Sequence, residues 1–154
     1  MGGNNLKTNK IFIFFISIFL VLTTGCVNGI KNEKNKINNQ GDKIIVEKRV
    51  GEADKYEYYN EIKDTKEVQN TKDILNSITW ENAAVSMAYP PHYKFHFEDT
   101  NSKSSGAIYE LWISPDKGRI ELVVDSASKY VHLNKEVSGR LFKIITGKEL
   151  DDVK

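Results

Sequence analysis

Few side chains in this sequence are equipped for chemistry: one cysteine, three histidines and some adjacent carboxylates. Cys26 is the sole thiol, and the small residues Thr24-Gly25 stand directly ahead of it, as a peptidase cut requires. His92 and His96 share one side of an alternating stretch with Lys94 between them, about 13 Å apart at ~3.3 Å per residue. Metal ligands must converge to about 2.0–2.2 Å of the ion. The separation and the intervening cation therefore argue against a shared site. His132 alternates with Val131 and Leu133 and is expected to face outward. All three histidines are expected to be solvated or at an edge. Glu98-Asp99 and Asp151-Asp152 are adjacent in sequence, so in extended chain their side chains point apart, which disfavours an acid–base pair. No serine lies in a G-x-S-x-G setting, and no phosphate loop or dinucleotide fingerprint is present. Tyr56, Tyr58, Tyr59, Tyr89 and Tyr93 could form a stacking face for sugars or peptide, although core packing accounts for most of them. No catalytic residue, metal ligand or cofactor is assigned from this inventory.

What precedes Cys26 gives the thiol its meaning. Lys7 and Lys10 are cationic and favour the cytoplasmic side. Ile11 to Leu22 is apolar apart from Ser17. As a helix it spans roughly 18 Å, short of the ~30 Å of a permanent membrane span and suited to a signal-peptide core. Myristoylation at Gly2 is disfavoured, because Leu6 stands where Ser or Thr is needed.

With the basic start, the apolar core and the small residues, Leu22-Thr23-Thr24-Gly25-Cys26 resembles the lipobox of bacterial lipoprotein precursors. Leu22 lies four residues before the cysteine, and Thr23 takes the place where that family most often has Leu. The resemblance implies cleavage between Gly25 and Cys26, a lipid on the Cys26 thiol, and a chain held on the outer face of the cytoplasmic membrane.

The chain has 154 residues and a formal charge of +1. Loss of the leader removes Lys7 and Lys10, after which the 21 acids slightly outnumber the remaining bases. Near-neutrality with both signs interspersed argues against a nucleic-acid partner. About 129 mature residues suffice for one domain of ordinary size. One cysteine allows no internal disulfide. The Asn-, Lys- and Ile-rich composition resembles that of a low-GC, Gram-positive genome.

The expected organisation is a signal peptide at 1–25, a lipidated cysteine and disordered tether at 26–42, one domain at 43–150 and a polar tail at 151–154. The tether is rich in Asn, Lys and Gly and too poor in apolar residues to offset its ordering entropy. Lys43–Val50 is a strand candidate with Ile44, Val46 and Val50 on one face, and Tyr56–Ile62 is another with Tyr56, Tyr58 and Ile62 together. Asp64 caps a helix from about Thr65 to Ser77. Trp80–Tyr89 fits either a strand through Val85, Met87 and Tyr89 or a loop, and Pro90-Pro91 ends it. Tyr93, Phe95 and Phe97 form the core face of a strand. Ala107–Ser114 is apolar on both faces and so central. Pro115–Gly118 turns the chain, with Gly118 available for a positive φ. Ile120, Leu122 and Val124 return, Lys129–Leu133 is a short last strand, and a helix capped by Asn134 is stopped by Gly147. The order predicts an α+β domain: an antiparallel sheet of about five to seven strands with two helices packed on one face.

Through Leu111-Trp112-Ile113, the Lys129-Tyr130 strand leading to Leu133-Asn134-Lys135, and the Leu141–Ile145 helix, the domain is similar to uncharacterised Bacillus lipoproteins of the YhfM-like type. That resemblance implies no activity. The expectation is a lipid-anchored, non-enzymatic binding domain with an envelope-protein or cell-wall partner, its oligomeric state open. The alternative is an envelope enzyme, for example one acting on peptidoglycan.

Overall fold

The computed structural model describes residues 37–153. Seven strands form one antiparallel sheet: β1 Lys43–Arg49, β2 Tyr56–Ile62, β3 Glu81–Asn82, β4 Tyr93–Glu98, β5 Tyr109–Ile113, β6 Ile120–Val124 and β7 Lys129–His132. Their order across the sheet is β2-β1-β4-β5-β6-β7-β3. Helices α1, Thr65–Ser77, and α2, Lys135–Thr146, lie on one face, giving the α+β two-layer arrangement. No helix of the described residues is long and apolar enough to cross a membrane.

The core lies between sheet and helices. Alternation delivers Ile44 and Val46, then Phe95 and Phe97, then Tyr109 and Leu111, then Ile120 and Leu122, all without solvent exposure. From above, α1 contributes Val68, Ile74 and Leu75, and α2 contributes Leu141, Phe142 and Ile145. The rings of Phe95 and Tyr109 stack at 4.9 Å across the β4–β5 pair, and Phe97 meets Tyr109 edge-on. β5 occupies the middle of the sheet, as its two apolar faces require.

Two strand-to-helix corners use the same chemistry. Asp64 Oδ1 accepts from the Glu67 N–H and Asn134 Oδ1 from the Val137 N–H, each at 2.9 Å. Each satisfies one of the donors a helix start leaves unpaired, for about 1 kcal/mol. Gly147, at φ 71°, ends α2 in the left-handed conformation.

Four local expectations are corrected. A bulge in the β1–β2 pair leaves Tyr59 without a partner between the Val46–Asn60 and Glu47–Tyr58 pairs. The extra residue reverses the faces of β2. Tyr59 therefore packs on the core, edge-on to Tyr93, and Tyr58 turns outward at 67% exposure. Val50 leaves the core face because β1 ends at Arg49 and Val50 opens the turn through its bond to Lys55. In the Pro115–Gly118 turn the positive φ falls on Lys117, with Asp116 accepting from the Gly118 N–H. The strand through Val85, Met87 and Tyr89 does not form. Only Glu81–Asn82 pairs as a strand; 83–91 continues as a strap outside the ladder, joined to it at its start by the Ala83 N–H to Ser128 O.

The ends of the domain also differ from expectation. Residues 37–42, placed in the tether, are docked. Ile37 packs against the core, Asn38 O accepts from the Ala107 N–H, and the Tyr109 hydroxyl donates to Asn39. Gly41 passes so close to Glu98 that a Cβ there would sit 2.7 Å from its backbone nitrogen. At the other end Leu150, the last residue of the expected domain, is buried in a 3-10 turn, Leu150–Asp152, and Val153 beyond it packs against the core.

Candidate functional site

The helix-free face of the sheet carries the candidate site. Residues that alternate away from the core meet there: Lys94 from β4, Glu110 and Trp112 from β5, and Val123 from β6. Lys94 is the hub. Its Nζ lies 3.2 Å from Glu110, 3.9 Å from Asp54 and 4.3 Å from the centre of the Tyr56 ring. Its charge is thus shared between a cross-strand carboxylate and an aromatic face.

The strap 83–91 crosses this face and buries Trp112 and Val123 beneath it. Three consecutive carbonyls hold it down, each through a donor from a different strand. Trp112 Nε1 donates to Tyr89 O at 2.8 Å, Arg49 Nη1 to Pro90 O at 2.7 Å, and the Tyr56 hydroxyl to Pro91 O at 2.9 Å. Pro90 and Pro91 suit this duty, because they lack N–H groups and offer only acceptors. Burial, with Asp54 nearby, pushes the Tyr56 phenol well above its ordinary value, so it remains a donor.

Beside the strap the sheet face opens into a cleft of about 420 Å³. A second hollow of about 390 Å³, reaching Gly106–Ile108 and Ser126, shares Lys94, Glu110 and Asp125 with it. The two make one trough. Its charged lining is Asp54, Glu110 and Asp125 against Lys94. Ile108, 53% exposed, stands in the second hollow, and Tyr89, 41% exposed, stands on the strap.

The sequence candidates fall as follows. Gly25 and Cys26, the expected cleavage and lipid-attachment positions, lie outside the described residues. His92 is half-buried against Tyr89, where a solvated or edge position was expected. Its Nδ1 accepts from the Ile113 N–H at 3.1 Å and its ring meets Tyr89 edge-on. Burial, and secondarily Arg49, hold its pKa below the ordinary histidine value. His96 lies 3.9 Å from Glu98 in a separate cluster, and His132 is exposed. Among the described residues, no three of His, Cys, Asp and Glu converge as metal ligands would. Glu98 is taken by Lys43 and Asp99 by Ser102, so the neighbours serve different partners. Of the five tyrosines, Tyr59 and Tyr93 go to the core side, while Tyr56, Tyr58 and Tyr89 reach the open side. Lys94, Glu110 and Trp112 escaped sequence reasoning as a site. Their one signal was the outward-facing Lys94 on β4 and the lone charge, Glu110, on the otherwise apolar β5.

The family described as YhfM protein matches residues 37–151. No curated protein matches the chain significantly. Among solved structures, a thioesterase-like protein from Clostridium sporogenes is similar, with a TM-score of 0.50 at 12% identity. The match covers 73% of this chain and all of that one. At that identity the likeness concerns the fold.

Proposed function

On the premise that this chain belongs to the YhfM family, we propose that it is a lipoprotein of the bacterial cell envelope whose folded part binds a protein or cell-wall component. The leader and Cys26 support the address. The position of Gly25-Cys26 carries the reading: two residues behind the apolar run Ile11–Leu22, and eleven positions ahead of the docked Ile37. The trough supports binding rather than turnover. Glu110, which lines both hollows, is already committed to Lys94, which opposes a role in proton transfer.

The address is tested by growing cells with labelled palmitate. Label should enter the wild-type chain and be absent from Cys26→Ser, which should accumulate uncut precursor. Label in the variant, or intact full-length wild-type chain free in the cytosol, would defeat the reading. The binding half is tested by photo-crosslinking in intact cells from Ile108 and, as control, from Asn76 on exposed α1. Adducts specific to Ile108 are expected, and equal patterns from both would count against a site in the trough.

A further inference from the structure

We infer that the trough takes an extended peptide carrying basic side chains, its main chain pairing with the strap as an added strand. This deepens the binding reading above and rests on it. The strap supplies the first observation. Ala83 donates its N–H to Ser128 O, the last backbone bond before His92 donates to Leu111 O. Among the described residues no protein group pairs with the N–H groups of Ala84 to Tyr89 or the carbonyls of Ala84 to Ala88. Exposure alternates along this run: Ala83, Val85 and Met87 are half-buried toward the sheet, while Ala84, Ser86 and Ala88 are exposed. That is the side-chain pattern of a strand lying flat. Its N–H and C=O groups must then run parallel to the sheet surface, along which the trough opens. The outward side chains are small, so another backbone can approach to the ~4.8 Å of strand pairing.

The lining supplies the second observation. Three carboxylates, Asp54, Glu110 and Asp125, face one ammonium, Lys94, which Glu110 and Asp54 already engage. The trough therefore favours a cationic occupant over an anionic one. Lysine or arginine on alternate positions of an added strand would place ammonium or guanidinium groups toward Asp125 and Glu110. Ile108 offers an apolar contact for the aliphatic stems of those same side chains.

The test uses the full chain in detergent micelles and fluorescent pentapeptides of alternating valine and lysine. Three probes are compared by anisotropy: the lysine peptide, its glutamate counterpart, and the lysine peptide N-methylated at alternate amides. The lysine peptide should bind about tenfold more tightly than either other probe, the size of one lost hydrogen bond or charge contact. Ser86→Pro, which removes one strap donor, should weaken it by a similar factor, while Ser86→Ala should not. Amide resonances of Ala84–Ala88 should shift on binding in the wild-type chain. Equal affinity for lysine and glutamate probes, or no loss on N-methylation, would overturn the inference, as would shifts confined to residues outside the strap and trough. The Ile108 photo-crosslinking experiment decides the binding reading separately: adducts specific to Ile108 with no preference for the lysine peptide would leave that reading standing and defeat this inference alone.

Discussion

The indole N–H of Trp112, in the centre of the sheet, donates to the main-chain carbonyl of Tyr89, 23 residues earlier, at 2.8 Å. This bond joins the most buried residue of the open face to the strap above it. Trp112→Phe keeps most of the ring and deletes the donor. It should lower stability by about 1 kcal/mol, and by more if Tyr89 O stays dry. The strap should also become the first site of proteolytic cutting, read by mass spectrometry of limited digests. Unchanged cutting in 83–91 would show that the strap is held by Arg49 and Tyr56 alone.

The sheet's other outward cluster sets the response to pH. Lys43, 8% exposed, lies 2.8 Å from Glu98 and 3.0 Å from Glu61. Glu98 is held below its ordinary value chiefly by Lys43, and Glu61 by Lys63 and then Lys43. Lys43 is raised, by Glu98 first and Glu61 second. For the glutamates the folded value lies below the unfolded one. Their contribution is full above the ordinary carboxylate pKa of about 4.3 and is lost as pH falls through the folded values. For Lys43 the sign reverses, and its contribution disappears as pH rises through the raised value. Lys43→Met should flatten the fall in Tm between neutral and strongly acid pH. An equally steep fall would place the acid sensitivity elsewhere.

His92 adds a separate step at milder pH. Its Nδ1 is an acceptor for the Ile113 N–H, so protonation there breaks the bond. The folded value is depressed below the unfolded one, by burial first. Stability should therefore decline as pH falls from about 6.5 through the folded value. A proton NMR titration of the His92 ring should give a midpoint under 6.5. A midpoint at or above that value would contradict the bond.

Ser138 on α2 tests how helix and sheet are locked. It is fully buried, its hydroxyl accepts from the Ile120 N–H at 3.0 Å, and it faces Leu133 O. Ser138→Ala leaves a buried β6 N–H without a partner and should cost about 1–3 kcal/mol in denaturant unfolding. A cost near zero would mean that water replaces the hydroxyl.

Local chemistry made much of the domain readable. Asp64 and Asn134 announced their helices, Gly147 ended one of them, and strict alternation at Tyr93, Phe95 and Phe97 placed a strand and its buried face. What escaped was set by distant contacts. The inversion of Tyr58 and Tyr59 depends on a bulge against β1, which no pattern within β2 reveals. Lys94, Glu110 and Asp54 meet only because β4 and β5 pair and the β1–β2 turn folds beside them. The strap reads as an ambiguous loop because its anchors, Trp112, Arg49 and Tyr56, all lie outside it. Residues 37–42 looked too polar to order, yet Asn38 and Asn39 bond to Ala107 and Tyr109 across some seventy positions.

That docked lead-in has a mechanical consequence. Between Ile37 and Lys43 the chain is pinned in series, at Asn38 to Ala107, at Asn39 to Tyr109, at Gly41 O to Lys72, and at Asp42 to Glu98 and Thr100. Tension applied from the N-terminal side loads these fastenings before it reaches the β1 ladder. They act as a fuse: a tug can unzip six residues of slack while the sheet, and whatever rests in its trough, keeps its shape.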